Sequence, residues 1–241
     1  MTQDTGPLFA AIDATWPAAA TVRAGPWLLR EGAGGGKRVS CTSLVGDWST
    51  DDLAAAEQAQ RLLGQDPLFM IREGEERLDA ALAAEGYGIV DPVALWLCPV
   101  EKLTDRPLPR VTAFAIWEPL AIMRDIWDEA GIGAARQAVM DRVRGPKTAI
   151  FGRVMDRSSG TGFCAIHEGI AMVHALEIIA ACRGKGLGKW MMRCAAHWAA
   201  ENGATDMAVL CVKDNAPANG LYASLGFECV GAYHYRLRPE E

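Results

Sequence analysis

One stretch limits what this chain can fold into more than any other: Arg183-Gly184-Lys185-Gly186-Leu187-Gly188-Lys189. An apolar, β-like run precedes it, residues 169–180. Residues 190–202, rich in Ala, Met and Trp, read as a helix after it. A strand that empties through a glycine loop into a helix is an anion-binding arrangement. Loop amides point at the ligand, the helix N-terminus is electropositive, and glycines let the backbone approach. Arg183, Lys185 and Lys189 add full positive charges. The loop is not Gly-x-x-x-x-Gly-Lys-Ser/Thr, because Trp190 follows Lys189 and no magnesium-binding hydroxyl is in place. Nor is it Gly-x-Gly-x-x-Gly, since position 189 is Lys. The spacing it does fit is Arg-x-x-Gly-x-Gly, with Arg183, Gly186 and Gly188.

A second pattern follows at residues 215–227: Asn215-x-x-Ala218-x-x-Leu221-Tyr222-x-x-x-Gly226-Phe227, with a β-like run at 207–212 between the two. Together, in this order, the motifs resemble those of the GCN5-related N-acetyltransferases (GNAT), over about residues 111 to 240. The resemblance implies a pyrophosphate loop for acetyl-CoA, with CoA as product. Where many members carry Val-x-Pro-Glu before the arginine, this chain has Ile179-Ala180-Ala181-Cys182, so a carboxylate sometimes found there is missing.

The length of 241 residues allows one large domain or two small ones, and an apolar half is ample for a core. No apolar run is long enough to span a bilayer, and the N-terminus is too polar for a signal peptide, so a cytoplasmic, soluble protein is expected. The seven cysteines (41, 98, 164, 182, 194, 211, 229) are scattered with no Cys-x-x-Cys pair. Buried reduced thiols are expected, with no metal site. The net charge of −6 speaks against nucleic acid and anionic membranes as partners and suits a cationic amine.

Taken in order, residues 8–16 suggest a short helix ended by Pro17, and 27–30 and 38–44 suggest two strands. The glycine-rich 31–37 between them is a flexible hairpin connection and not a phosphate loop, because a strand is expected after it where a helix is required. Ser49 or Thr50 is placed as the cap of a helix that starts near Asp51, has strong helix formers over 54–63 and stops at Gly64. Strand 67–72, helix 76–85 and strand 87–97, interrupted at Pro92, complete an N-terminal α/β domain over 1–105. Pro107 and Pro109 mark a linker at 101–110. The catalytic domain is expected over 111–241, in the order strand, helix broken near Gly131 and Gly133, three strands, helix, strand, helix, strand. That is the acetyltransferase order and implies a mixed α/β fold with helices on both faces of the sheet. The first half echoes the second: 54–64, 68–72 and 78–87 repeat the helix, strand and helix-then-Gly-aromatic of 190–203, 207–212 and 221–227. It reads as a smaller, degenerate GNAT-like domain without the loop, since Val45-Gly46-Asp47-Trp48 stands there and an acid would repel a pyrophosphate.

Acetyl transfer to an amine requires a held donor, a neutral amine, a stabilised oxyanion and a thiolate that can leave. By the resemblance, the donor falls to the strand backbone at Ile178, Ile179 and Ala180, to the loop from Arg183 and Gly184 through Lys185, Gly186, Leu187 and Gly188 to Lys189, and to Asn215, Ala218 and Tyr222. The backbone near Leu176 would give the oxyanion donor. Two residues lead as candidates for the base, with His167 and Glu168 on the previous strand as weaker options. His174 has a side-chain pKa suited to the task and sits where serotonin-acetylating members carry a histidine. Glu177 lies three residues on and, by strand alternation, is expected on the opposite face, so only one of the two would look into the cleft. Tyr222 is the expected general acid. Cys211, among apolar neighbours, is expected to be inert, which disfavours an acyl-cysteine route.

These features point to an N-acetyltransferase working by direct attack in a ternary complex, with a non-catalytic acyl-CoA-binding module as the alternative. The acceptor is expected to be a small-molecule, peptide or protein amine, received near Trp117, Asp125, Trp127 and Asp128. A homodimer is admitted as an assembly.

Overall fold

β8 (Arg157–His167) is buried along almost its whole length. A strand buried on both faces needs a layer on each side, and small or apolar residues throughout. The sequence supplies them as Ser-Gly-Thr-Gly-Phe-Cys-Ala-Ile. In the computed structural model, which describes residues 4–238, the layers are helices. α7 (Leu187–Glu201) packs on β8 from one side; α1 (Gly6–Thr15) and α5 (Ala121–Glu129) also pack against it.

The remaining elements are β1 (Ala20–Ala24), β2 (Trp27–Glu31), α2 (Lys37–Ser40), β3 (Thr42–Leu44), α3 (Asp51–Leu62), β4 (Leu68–Arg72), α4 (Glu76–Ala84) and β5 (Gly88–Pro99). Then come β6 (Ala113–Ile116), α6 (Ala134–Arg142), β7 (Lys147–Val154), β9 (Ile170–Ile178), β10 (Asp206–Val212), α8 (Ala216–Ser224) and β11 (Glu228–Leu237). The second half follows the expected order, with the helix broken at Gly131 and Gly133 into α5 and α6.

The chain forms two compact units. One combines the segment up to Pro17 with Leu95–Cys211 and Asn215–Val230. Its strands run β5-β10-β9-β8-β7-β6, with β9 parallel to β10 and β6 to β9 antiparallel in succession. Its core joins Ile150, Cys164, Val173, Met191, Ala195 and Val209. The other combines Ala18–Ala94, Val212–Asp214 and the chain from Gly231 onward. Its strands run β1-β2-β3-β4-β11 around Trp27, Leu29, Phe69, Leu78 and Leu82.

This division differs from a cut at 101–110. α1 packs on β8 and β9, so the N-terminal helix belongs with the glycine loop. β11 returns to pair antiparallel with β4, with Tyr233 opposite Arg72 and Leu237 opposite Leu68. Three local expectations also change. β1 pairs with β2 in a hairpin that the sequence reading left out. Residues 37–40 are a short helix and β3 is only 42–44, because Gln65 reaches in and binds Gly32 N (2.7 Å), Arg30 O (2.8 Å) and Ser40 O (3.2 Å), the bonds a strand partner would otherwise make. β5 runs on through Pro92.

The internal echo is carried by the backbone as well. β3 and β4 are parallel and joined by α3, as β9 and β10 are parallel and joined by α7. α3 and α7 close with the same bond, Gln65 N to Gln60 O and Ala204 N to Ala199 O. α4 and α8 do likewise, Tyr87 N to Leu82 O and Phe227 N to Tyr222 O. Each is the wide return bond of a helix that ends on a glycine.

Candidate active site

The glycine loop opens directly into a helix N-terminus. After a single 3-10 turn (Ala180–Cys182) the chain passes through Gly186, at φ 80°, into the first turn of α7, which holds no acidic residue. The helix's own bonding begins with Lys189 N to Gly186 O, so the amides just before it precede the ladder. Gly188 is closely packed by side chains. A Cβ there would lie 3.0 Å from Leu221 Cδ2 and 3.3 Å from Ile178 Cδ1. Arg183 Nε donates to Ile178 O at 2.9 Å, which ties the loop to the end of β9.

Beside the loop, β9 and β10 part. Their parallel pairing ends at Val173 and Val209, while β9 continues to Ile178 and β10 to Val212. Ile179 N donates to Ser159 O of β8 at 3.0 Å, so the Ile178 amide, one residue back, turns the other way. The opening is a cleft of about 690 Å³, within the range of small-molecule sites. Glu177, Ile178 and Leu176 wall it from β9, the loop from one end, and Asn215, Ala218 and Tyr222 from α8.

A β-bulge sets the side chains of β9. Thr161 faces Glu177 across the ladder and Phe163 faces His174, so β9 spends three residues where β8 spends two. Ala175 takes up the extra residue at φ 50°. Thr161 and Phe163 share a face of β8, so Glu177 and His174 share a face of β9. The expectation that they point to opposite faces is thus corrected: alternation fails where a residue is inserted.

The two differ in what covers them. His174 is 5% exposed and does not line the cleft. Trp16 lies 5.0 Å from its ring and Phe163 stacks at 6.3 Å. Its Nε2 lies 2.9 Å from Thr15 Oγ1, and that hydroxyl spends its one proton on Ala11 O at 2.6 Å. The bonding network therefore assigns Nε2–H as donor to Thr15, which leaves that nitrogen no lone pair for a substrate proton. Glu177 is half-buried on the cleft wall. Burial pushes its carboxyl up from the ordinary glutamate range, and the Arg183 and Arg136 charges oppose that only in part. Arg183 Nη2 is 3.9 Å from Glu177 Oε2.

Tyr222 is 7% exposed and packs against Phe227. Burial pushes its phenol above the ordinary value, and Cys211 and Glu177 push the same way. Cys211 itself is buried, and its thiol is raised by that burial. Asn215 caps α8 by accepting from Ala218 N at 3.2 Å.

Of the remaining cofactor residues, Arg183, Gly184, Gly186, Leu187, Gly188 and Lys189 line the cleft. Ile179, Ala180 and Lys185 do not; Lys185 Nζ lies 3.1 Å from Met155 Sδ on the β7–β8 turn. Sequence reasoning missed Pro217, Gly220 and Ser224 on α8. It also missed the seal of Thr15 and Trp16, which only the packing of α1 reveals. Of the acceptor candidates, Trp127 is wholly buried and donates from Nε1 to Ala175 O at 2.8 Å. Asp128 accepts from Gln137 Nε2 at 3.1 Å. Trp117 is 39% exposed beneath the Lys147 ammonium, 4.6 Å from its ring. Among the described residues no cluster of three His, Cys, Asp or Glu is placed to hold a metal ion, and no helix is long and apolar enough to cross a membrane.

The matching corner of the other unit is filled. There Asp52 Oδ2, in the first turn of α3, accepts from Ser49 N (2.8 Å) and Ser49 Oγ (2.7 Å), which also corrects the expected Ser49 or Thr50 side-chain cap. These bonds hold its carboxyl below the usual range. Trp48 packs 6.3 Å from Trp27, with the Arg77 guanidinium 4.7 Å over its ring.

The site thus combines a glycine loop on a helix N-terminus, a parallel strand pair that parts beside it, and a bulge in one of the two strands. Residues 124–227 match the model of the acetyltransferase (GNAT) family. The match covers most of the C-terminal half of the chain. Over most of its length the chain is similar to YobR of Bacillus subtilis (strain 168), an uncharacterized N-acetyltransferase, with 28% identity over 234 residues, 93% of this chain and 95% of the relative. A GCN5-related N-acetyltransferase from Kribbella flavida shares the fold at TM-score 0.74 and 18% identity, covering 100% of this chain and 98% of the other. A tandem GNAT protein from the clavulanic acid biosynthesis pathway shares it at TM-score 0.61 and 14% identity, covering 95% and 87%.

Proposed function

We propose that the chain transfers an acetyl group from acetyl-CoA to a primary amine by direct attack. The observation that carries this is one cleft with an acid-free helix N-terminus and glycine cradle at one end and a half-buried carboxylate and phenol along its walls. Acetyl-CoA supplies the activated acyl thioester. The amides of Gly186 to Gly188, with Arg183 and Lys189, hold its diphosphate, and the Ile178 amide meets the pantetheine arm.

An alkylammonium of pKa about 10 must lose a proton before it attacks. Glu177 takes it, directly or through one water; burial raises its carboxyl above the ordinary glutamate range, which makes it a stronger base. The Leu176 amide faces the oxyanion. The C–N bond forms to give the tetrahedral oxyanion; as it collapses the C–S bond breaks and Tyr222 gives its phenolic proton to the departing sulfur. The new amide nitrogen loses its second proton, which restores the Tyr222 phenol, and Glu177 returns its proton to solvent. His174 takes no part. We extend the proposal to the second unit as a degenerate copy of the fold that binds no second acetyl-CoA, because Asp52 occupies the anion position.

The test is a thermal-shift titration with acetyl-CoA, CoA, ATP and NAD on the wild type and on Gly186→Asp. A ligand of the native state alone, at a hundredfold its Kd, stabilises by about 2.7 kcal/mol. Stabilisation by acetyl-CoA that Gly186→Asp abolishes supports the donor; a response to ATP or NAD alone refutes it. Thiol release over a panel of primary amines then separates an enzyme from a non-catalytic acyl-CoA-binding module, which would bind and never turn over.

A further inference from the structure

The carbonyl of Ala175 sits at the bulge where β9 gains its extra residue. An inserted residue disrupts the ladder locally, and a buried carbonyl needs a donor. Trp127 on α5, 0% exposed, brings its only donor there: Nε1 to Ala175 O, 2.8 Å. The bulge decides the site. With it, Glu177 comes round to the face of Thr161 and lines the cleft with Leu176. Without it, alternation would send Glu177 and His174 to opposite faces.

We propose that Trp127 is a positioning residue for acetyl transfer: its indole N–H holds the Ala175 carbonyl and so fixes the bulge that presents Glu177 and the Leu176 amide to the cleft. This rests on the reading of Glu177 as the base. Trp127 touches no substrate and acts through β9 alone. A tryptophan fits the task because a rigid ring with two torsions can fill a core position and still end on one aimed donor. Ala175 holds its left-handed conformation against an intrinsic preference, since only glycine adopts it freely. The hydrogen bond helps offset that preference.

The experiment compares Trp127→Phe with a chain carrying β-(3-benzothienyl)alanine at position 127. The second substitution keeps the bicyclic shape and replaces the N–H by sulfur, so it stays informative if Trp127→Phe fails to fold. Both are read by thiol release from acetyl-CoA over a fixed panel of alkylamines, arylalkylamines and lysyl peptides, with melting temperature and a pH–rate profile. We expect kcat to fall about tenfold, the order of one net hydrogen bond, with KM for acetyl-CoA unchanged. The acid limb should move to lower pH as Glu177 gains solvent. Adding Ala175→Gly, which accepts the left-handed conformation freely, should restore part of the lost kcat. An isostere with wild-type kcat and pH profile overturns the proposal, as does a loss that leaves the profile in place and that Ala175→Gly does not relieve. Glu177→Gln, run alongside, separates the two layers. If it is fully active, the base reading is wrong and the proposal falls with it; if it is inactive while the isostere behaves as wild type, only the proposal fails.

Discussion

His174 and Glu177 share a face of β9, and the structure predicts opposite fates for their substitutions. His174→Ala removes a ring packed 5.0 Å from Trp16 and 6.3 Å from Phe163, and a hydrogen bond to Thr15 at 2.9 Å. An aromatic pair contributes about 0.5–1.5 kcal/mol beyond burial and a net hydrogen bond about 1 kcal/mol, so the loss should be roughly 2–4 kcal/mol. For a chain of this size that is a fall of about 5–15 °C in melting temperature. Turnover below the new melting point should change little, because Nε2 is committed to Thr15 and the ring does not line the cleft. Glu177→Gln should do the reverse. The melting temperature holds, acetyl-CoA still binds, and kcat falls by about 10²–10⁴, the usual contribution of a positioned base. The assays are differential scanning fluorimetry and thiol release on the same preparations. A His174→Ala protein that melts with the wild type yet has lost turnover, beside an active Glu177→Gln, would refute the assignment and the tautomer argument under it.

Three more expectations follow from the same geometry. Because burial raises the folded pKa of Glu177 above its unfolded value, the folded chain binds that proton more tightly; stability should decline as pH rises from about 4.3 through the folded pKa, and melting curves of Glu177→Gln should lack that decline. Tyr222→Phe should lower kcat by about 10²-fold with acetyl-CoA affinity kept, and because burial raises the phenol, the wild-type rate should show no alkaline limb from Tyr222 below about pH 10, checked by a pH–rate profile in deuterated and ordinary water. Gly188→Val places carbon atoms where Leu221 and Ile178 already stand, 3.0 and 3.3 Å from a Cβ, so it should destabilise by about 1–3 kcal/mol and remove the thermal shift with acetyl-CoA; a variant that still responds would show the cradle lies elsewhere.

What the sequence made legible is what local rules dictate. The loop from Arg183 to Lys189 and the motif from Asn215 to Phe227 are each contiguous in sequence, so the residues that line one cleft were visible together as two patterns. The order of strands and helices in the second half was legible too, since glycine and proline mark the joints. What stayed hidden depends on residues far apart. Nothing around Thr15 announces that α1 will close over His174, 159 positions later. A bulge has no reliable signature in Ala175 itself, so alternation gave the wrong face for Glu177. Trp127 read as an acceptor contact because an indole on an amphipathic helix looks the same whether its N–H meets a ligand or a backbone carbonyl. α2 replaced a strand because Gln65, 33 residues after Gly32, supplies the bonds.

The two units show how little separates a binding cradle from a sealed one. Both set a parallel strand pair around a helix and end their helices alike. A helix N-terminus carries about half a positive charge and up to four unpaired amides, so something anionic will be favoured there. α7 meets that demand with glycines and no acid in its first turn, which leaves the position open to a ligand's phosphates. α3 meets it from within, with Asp51 and Asp52 in its first turn and the Asp52 carboxylate folded back onto Ser49, while Trp48 and Arg77 occupy the space beside it. An internal carboxylate is always present at the site, whereas a ligand must be bound from solution. On the proposed reading, the second unit holds a permanent anion where the first would take one from solution, so its order at that corner does not depend on a ligand.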